Sequence, residues 1–205
     1  MIADNDVICD VGANIGFTTL FMSECAHNVI AYGVEPNPIN LEAFYRNIAL
    51  NEFHDKVFVI PHAAGKISNE KIRLTVHPNS GTAAENEKQE TYEAIVVSLD
   101  EYFSSQNLRL PTLLKIDVEG AELLVLQGAS RILSQCPKLI VEIHVANFSD
   151  PLRTIQGIFD IIDLPRYNCF IQTEVDGSII PFDHQHHTVA RLSQLINVHL
   201  FCIPR

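Results

Sequence analysis

A glycine-containing turn, DVGANIG, follows a short apolar segment near the amino terminus of the sequence. Val7–Val11 is almost continuously apolar, which is typical of a strand buried on both faces of a parallel sheet. A helical pattern begins after the turn, and Rossmann-like sheets bind nucleotide ligands at this kind of loop, beyond the carboxyl ends of their strands. Gly12 lacks a Cβ, so the chain can turn tightly there and a ligand can approach its backbone. We expect Gly16 to let the helix pack close to the strand.

The spacing and charge of this turn favour a cationic ligand over a dinucleotide. Its glycines are spaced G-x-x-x-G rather than G-x-G-x-x-G, and Asp10 places a carboxylate beside them. A carboxylate repels a pyrophosphate but attracts an amino group or a sulfonium. Glu35 follows the second predicted strand, residues 29–34, where an acid can accept hydrogen bonds from both ribose hydroxyls. Alone, Glu35 would be interpreted as a solvated loop acid, but behind this turn we predict that it binds S-adenosylmethionine.

Five ionisable residues alternate with apolar ones in two later segments, the predicted strands 112–118 and 138–145. They are Lys115, Asp117, Glu119, Glu142 and His144. Residues two apart in a strand share a face, so neighbouring strands would bring all five together at the cofactor end of the sheet. A buried, unpaired charge is costly, and we therefore expect Lys115 to pair with Glu142 as structural support.

The remaining three residues of this group could handle a proton. A hydroxyl that accepts a methyl group must lose its proton, which a carboxylate or a histidine can take up. The candidates are Asp117, Glu119 and His144, and His144 is the first choice because its unperturbed pKa lies near neutrality. Asp117 is equally suited to bind the methionine amino group, Glu119 to stabilise a helix N-terminus, and His144 to be a hydrogen-bonded core residue. A divalent cation is compatible with the cluster, but no tight spacing demands one, so none is predicted.

Four motifs, in this order and spacing, resemble the FkbM family of methyltransferases: DVGANIG, VEPNP, LKIDVEGAE and VEIH. The resemblance extends over nearly the whole chain. It implies a class I methyltransferase sheet, S-adenosylmethionine as the methyl donor, and often a sugar or polyketide hydroxyl as the acceptor. It also implies that five residues surround the methionine end of the donor: Asp10, Gly12, Asn14, Gly16 and Thr18. By the same resemblance Glu35 holds the ribose and Ala63 lies along the adenine. Pro36, which fixes the exit of the chain after Glu35, is assigned to this site as well.

One departure from the family concerns the acceptor side. Such enzymes commonly carry helices before the first strand that help to cover the acceptor, whereas here the first predicted strand begins at residue 7. We therefore expect one methyltransferase domain over residues 1–205 with little or no such extension. It would be either a trimmed core or a domain whose acceptor is held by another segment or by a second subunit of a homo-oligomer.

Apolar segments alternate with helical patterns along the chain, which indicates an α/β fold. Together with the resemblance, this predicts a Rossmann-like class I methyltransferase: a mostly parallel seven-stranded sheet with an antiparallel C-terminal strand and helices on both faces. One helix is predicted to begin at Asn37-Pro38, an N-cap followed by a first-turn proline. Others are predicted over residues 121–132 and 150–162, and a strand over residues 94–99.

Composition and charge limit the partners. The net charge of -11 disfavours a nucleic acid partner, since such partners require lysine and arginine to neutralise phosphates. A small-molecule or glycan acceptor is expected instead. No apolar segment approaches the roughly 20 residues of a membrane-spanning helix, and the first ten residues carry acids where a signal peptide carries bases. The five cysteines form no C-x-x-C pair and lie mostly in apolar segments, which is typical of free thiols in the cytoplasm.

Two other polar segments have plain structural explanations. His184, His186 and His187 resemble a metal-binding tract, but they follow a predicted hairpin in a polar stretch, and we expect no carboxylate companions there. We therefore predict a surface loop. Residues 79–82, NSGT, could form a lid over the site, but their composition is explained equally well by a solvated loop.

The leading hypothesis is an O-methyltransferase that acts on a hydroxylated small molecule or glycan. An amine, carboxylate or carbon acceptor is a second possibility, because acceptor residues lie in variable loops. A non-catalytic S-adenosylmethionine-binding module is a third; the short amino terminus favours it, whereas the retained Asp117, Glu119 and His144 oppose it. An NAD-dependent oxidoreductase is disfavoured by the glycine spacing and by Asp10.

Overall fold

A computed structural model describes residues 1–75, 91–175 and 177–205 of the chain. Within these ranges the backbone forms eleven strands and seven α-helices. The strands are β1 (Val7–Val11), β2 (Ile30–Val34), β3 (Val57–Ile60), β4 (Ala63–Ala64), β5 (Lys71–Thr75), β6 (Thr91–Val97), β7 (Leu113–Ile116), β8 (Lys138–Ile143), β9 (Tyr167–Thr173), β10 (Ile180–Pro181) and β11 (Val198–Pro204). The helices are α1 (Phe17–Glu24), α2 (Pro38–Leu50), α3 (Leu99–Ser105), α4 (Glu122–Gln127), α5 (Ser130–Ser134), α6 (Pro151–Ile161) and α7 (Val189–Leu192).

The main sheet has the strand order β10-β9-β11-β8-β7-β1-β2-β3. Strands β3, β2, β1, β7 and β8 run parallel, and β11 is antiparallel to both β8 and β9. The predicted fold class is therefore confirmed. The sheet has eight strands rather than seven because the second arm of the predicted hairpin, β10, pairs with β9 over two residues. A separate sheet has the order β4-β6-β5.

The strand order reverses between β1 and β7. The chain passes outward from β1 through β2 to β3 and then returns to the other side of β1 to form β7. In open α/β sheets, ligands bind in the crevice beyond the carboxyl ends of the strands at such a point. The two predicted groups of functional residues follow β1 and β7, so the topology brings them to the same crevice.

The central strands are buried on both faces, as the apolar pattern predicts. Ile8 and Leu113 face the side that α1 and α2 cover, where Phe44 is fully buried. Cys9 and Leu114, their neighbours in sequence, face the opposite side together with residues of α3 to α7. Alternation along each strand therefore supplies two apolar layers, one for each set of helices.

Two helices begin at the residues that the sequence predicts. The side chain of Asn37 accepts a hydrogen bond from the backbone nitrogen of Ile39 at 3.0 Å, and Pro38 occupies the first turn of α2. The side chain of Asp150 accepts a hydrogen bond from the nitrogen of Arg153 at 3.1 Å at the start of α6. Both caps satisfy backbone donors that a helix leaves free at its amino terminus.

Two other predicted elements differ from the structure. The predicted helix over residues 121–132 is divided into α4 and α5, and a Cβ on the intervening Gly128 would lie 2.0 Å from the carbonyl oxygen of Gly65. The backbone segments at Gly128 and Gly65 therefore meet where no side chain fits. The predicted strand over residues 94–99 ends at Val97, and α3, which the sequence analysis missed, follows with Leu99 and Phe103 buried.

The predicted lid, residues 79–82, lies outside the described residues. Among the helices that the structure describes, none is long and apolar enough to cross a membrane.

Phe44 should be a principal determinant of stability. Its ring is fully buried and fills the space above two residues without side chains, Gly16 and Gly33. We expect Phe44→Ala to lower the free energy of unfolding by about 3–5 kcal/mol, since it leaves a cavity that its neighbours cannot fill. Phe17→Ala removes a ring that is 74% exposed and should change stability by no more than about 0.5 kcal/mol. Urea denaturation of both variants measures the difference, and equal losses would contradict this assignment.

Candidate active site

The turn after β1 is determined by two close backbone approaches. Gly12 and Gly16 both have φ +81, a left-handed conformation that favours glycine. A Cβ on Gly12 would lie 1.8 Å from the carbonyl oxygen of Asp117, and one on Gly16 would lie 2.0 Å from the Phe44 ring. Gly12 therefore lets the turn contact the segment after β7. Gly16 lies against Phe44 of α2, whereas the sequence analysis expected it to let the following helix pack close to the strand.

Glu35 links this turn to the segment after β2. It is buried, and its Oε2 accepts a hydrogen bond from the backbone nitrogen of Asn14 at 3.0 Å. Its Oε1 accepts hydrogen bonds from the nitrogen of Asn37 at 2.8 Å and the side-chain amide of Asn40 at 3.2 Å. Burial raises the pKa of Glu35 above its usual value despite these three donors. Hydrogen bonds from the turn after β1 and from the segment after β2 therefore fix the orientation of the Glu35 carboxylate.

Asp10 is paired inside the protein. It is fully buried; its Oδ1 lies 3.0 Å from the ammonium nitrogen of Lys115, and its Oδ2 accepts a hydrogen bond from the hydroxyl of Thr19 at 2.6 Å. Lys115 also donates to Asp117 at 3.3 Å. Burial would lower the pKa of Lys115, but the charges and hydrogen bonds of the two aspartates raise it above its usual value.

The predicted pairing of Lys115 with Glu142 is therefore wrong, and the strand register explains why. Asp10 of β1 is the direct register partner of Lys115, whereas the partner of Lys115 in β8 is Ile140. Glu142 instead lies opposite His199 of β11, and the distance from Glu142 Oε2 to His199 Nε2 is 3.2 Å. The hydrogen bond with His199 lowers the pKa of Glu142, and the same contact raises the pKa of His199.

His144 lies at the centre of the second predicted group. Its Nδ1 is 2.7 Å from Oε1 of Glu122, a fully buried carboxylate at the start of α4. Its Nε2 lies 3.7 Å from Asp117 Oδ1, 3.5 Å from Glu119 Oε2 and 3.5 Å from Glu142 Oε1. Burial would lower the pKa of His144, but the hydrogen bond with Glu122 and the surrounding carboxylates raise it.

The two acids that follow β7 differ in exposure. Burial raises the pKa of Asp117, and the neighbouring Lys115 only partly opposes this effect. Glu119 is exposed and adopts φ +54, a left-handed conformation that is unusual for a residue with a side chain. Asn147 donates hydrogen bonds to the carbonyl oxygen and to Oε2 of Glu119, which hold this acid near His144. Asp117, Glu119 and His144 each offer one potential metal-ligand atom, and these three atoms lie within 4.8 Å of one another.

The five ionisable residues that the sequence groups together are thus brought together, and Gly12 contacts them. Three predicted cofactor residues lie outside this cluster. Thr18 is half-buried in the first turn of α1, and the neighbouring Thr19 holds Asp10 instead. Pro36 is half-buried after Glu35, and Ala63 is buried in the small sheet opposite Val96.

Three contributors were missed by the sequence analysis: Glu122, His199 and Tyr92. Burial, together with the charge of Glu35, raises the pKa of Tyr92 in β6 to about 12. Glu122 had a usable signal, since it precedes Val125, Leu126 and Ala129 at the spacing of a buried helix face. An acid at a core position of a helix requires a partner, and that partner is His144.

The histidine tract lies apart from this cluster. His184 and His186 are exposed, as predicted. The tract does have a carboxylate companion, contrary to the sequence interpretation: His186 Nδ1 lies 2.6 Å from Asp183 Oδ2. His187 lines a surface cavity of about 450 Å³ with Phe159 and Phe182, and none of the cavity's lining residues belongs to the loops after β1, β2 or β7.

Comparison with known protein families identifies a matching sequence profile. Residues 10–175 match the sequence profile described as the methyltransferase FkbM domain, which is most of the chain. The chain belongs to the FkbM methyltransferase family. Both the loop after β1 and the His144 cluster fall within the matched region.

Relatives of this FkbM domain include two curated proteins. It is 36% identical over 146 residues to "Hexuronic acid methyltransferase AglP" of Haloferax volcanii, covering 69% of this chain and 57% of that protein. It is 32% identical over 149 residues to "Methyltransferase 1" of Beauveria bassiana, covering 61% of this chain and 59% of that protein. The chain thus spans less than two thirds of the length of these relatives.

A solved structure supports the fold. The crystal structure of an FkbM methyltransferase from Methylobacillus flagellatus superposes with a TM-score of 0.63 at 21% identity, covering 99% of this chain and 44% of that one. At this level of identity the likeness supports the Rossmann-like architecture alone.

Removal of one partner from the buried pair of Asp10 and Lys115 should strongly destabilise the FkbM domain. We expect Lys115→Met to lower the free energy of unfolding by about 3–5 kcal/mol, because Asp10 would remain as a buried and uncompensated charge. Adding Asp10→Asn to that variant should restore part of the loss. Urea denaturation measures both changes.

Lys56, which pairs with Glu24 at the surface, provides the control. Lys56→Met should cost no more than about 1 kcal/mol, because exposed ion pairs contribute little. A double variant no more stable than Lys115→Met alone would contradict the pairing argument.

Proposed function

We propose that this FkbM domain transfers a methyl group from S-adenosylmethionine to a hydroxyl oxygen of a sugar acid or a related sugar. The observation that carries the proposal is the position of Glu35: a buried carboxylate at the carboxyl end of β2 is joined by Asn14 to the turn after β1, the strand beside which the strand order reverses. The family membership and the relative named for hexuronic acid support the proposed chemical class of the acceptor.

The residues at this crevice suit a cationic nucleoside. Glu35 offers carboxylate oxygens to ribose hydroxyls, with about four acceptor positions of which three are occupied by Asn14, Asn37 and Asn40. Asp117 and Glu119 add negative charge after β7, which attracts an ammonium or a sulfonium and repels a pyrophosphate. Asp10 acts through Lys115, because both of its oxygens already have protein partners.

When bound, S-adenosylmethionine supplies an electrophilic methyl group on a positively charged sulfur. The bond from sulfur to methyl breaks as the bond from the acceptor oxygen to methyl forms, and the sulfur becomes a neutral thioether. The protein's task is to align the two atoms and exclude water. The acceptor's hydroxyl proton leaves to the cluster of Asp117, Glu119 and His144, whose imidazole is oriented by Glu122.

The acceptor oxygen could also belong to a carboxylate, since the relative from Haloferax volcanii is named for a hexuronic acid. A hydroxyl is favoured because the cluster around His144 provides proton acceptors that an ionised carboxylate would not need. The product of a reaction with glucuronic acid distinguishes the two: a methyl ether is stable to mild base, whereas a methyl ester is hydrolysed.

Cofactor binding should depend on Glu35. We expect S-adenosylhomocysteine to bind and raise the melting temperature, since it stabilises only the native state. Glu35→Ala should weaken this binding at least about tenfold, because the hydrogen bond from a ribose hydroxyl to a charged acceptor is lost. Glu42→Ala, which removes an exposed acid of α2, should leave the affinity unchanged. Calorimetry without detectable binding of either adenosyl ligand at millimolar concentration would refute the proposed donor.

Turnover should depend on His144 without a matching effect on cofactor binding. We expect His144→Ala to lower the rate of methyl transfer to a sugar acid at least about 100-fold, the usual contribution of a proton-transfer group. S-adenosylhomocysteine affinity should change little. His27→Ala, which removes an exposed histidine, is the matched control. Unchanged turnover in His144→Ala would exclude His144 from the reaction.

A further inference from the structure

The orientation of His144 leaves one of its ring nitrogens directed at acids. Glu122 is fully buried, and its Oε1 lies 2.7 Å from Nδ1 of His144. Because an ionised carboxylate only accepts hydrogen bonds, we infer that the proton of this contact is on Nδ1. The lone pair of a neutral imidazole is then on Nε2. The nearest carboxylate oxygens to Nε2 lie at 3.5–3.7 Å, beyond the usual 2.7–3.2 Å of an N–H···O hydrogen bond.

Within the described residues, no lysine or arginine other than Lys115 contacts these carboxylates. Asp117, Glu119 and Glu142 all direct an oxygen towards Nε2, and His144 itself is 5% exposed. Lys115 is already shared between Asp10 and Asp117, and His199 lies against the other oxygen of Glu142. Mutual repulsion among the carboxylates is relieved either by a proton on Nε2 or by a cation bound between them.

We propose that Asp117, Glu119 and His144 bind a divalent first-row transition-metal cation, with Nε2 as the nitrogen ligand. Metal-binding histidines characteristically donate their other ring N–H to a carboxylate, as His144 does to Glu122. Ligand atoms of a tetrahedral site with bonds of about 2.1 Å lie about 3.4 Å apart, close to the observed separations from Nε2 of 3.5 Å to Glu119 and 3.7 Å to Asp117.

The ligand set indicates the kind of metal and its use. An imidazole with two carboxylates suits Mn²⁺ or Zn²⁺ better than Ca²⁺, which prefers oxygen ligands alone. Three protein ligands leave a position open, as in catalytic rather than structural sites. This use of the site rests on the proposed function and refines it: with the cation bound, Asp117, Glu119 and His144 would be its ligands rather than the direct proton acceptors. The acceptor hydroxyl would occupy the open position, where the cation would lower its pKa and its proton would pass to water beside the exposed Glu119.

Mn²⁺ binding to the full chain tests the site without turnover. We expect electron paramagnetic resonance to show about one Mn²⁺ bound per chain, displaced by Zn²⁺. Glu119→Gln should weaken binding at least about tenfold and, since Glu119 is exposed, should leave the fold intact. Glu122→Gln, which alters the positioning residue behind His144, should weaken binding about 10–100-fold.

The matched control is the exposed pair of Asp183 and His186, which also places a carboxylate against a histidine. Asp183→Asn with His186→Ala should leave Mn²⁺ affinity unchanged. Absence of Mn²⁺ binding at millimolar concentration, or affinity unaffected by Glu119→Gln, would overturn the cation site. Measuring S-adenosylhomocysteine binding on the same samples separates the two proposals, because its loss refutes the donor and its retention without Mn²⁺ binding refutes only the cation.

Discussion

The ion pair between Asp10 and Lys115 joins the two halves of the candidate site. Asp10 is the last residue but one of β1, Lys115 lies opposite it in β7, and both are largely withdrawn from water. A buried pair of this kind is satisfied in only one register, because a shift by one residue would turn each side chain to the other face of the sheet. The pair thereby places Gly12 against Asp117, so the turn after β1 and the acids after β7 meet at one crevice.

Hydrogen bonds and close contacts between ionisable groups extend this connection outward in two directions. On one side, Asn14 binds Glu35, which in turn receives donors from the start of α2. On the other side, Asp117 leads to His144, and His144 to Glu122 at the start of α4. The chain therefore builds its site from segments that follow four parallel strands, and each segment is held by a charged group with a defined partner. Positions set by several partners are maintained more precisely than positions set by packing alone.

Much of this arrangement could be predicted from the sequence, and the failures share a cause. The central strands, the capped start of α2 and the grouping of Asp117, Glu119 and His144 follow from periodicity and from motif order. Pairing across strands depends on register, which periodicity does not specify, so Lys115 was assigned to Glu142 rather than to Asp10. The sequence analysis misses Glu122 because it places Leu124 on the apolar face of the helix and expects no acid there. Leu124 is in fact half exposed.

The buried Glu122 on the inner face of α4 affects the chemistry available to His144. A carboxylate at a core position is costly unless a donor meets it, and a buried imidazole is the donor that it meets here. Once Glu122 determines which nitrogen of His144 carries the proton, the opposite nitrogen can act only as an acceptor in the neutral ring. Three carboxylates near this acceptor favour a donor that carries a positive charge over a neutral one. A proton or a cation in front of Nε2 would relieve the repulsion among these carboxylates, and this is the physical basis for the proposed cation site.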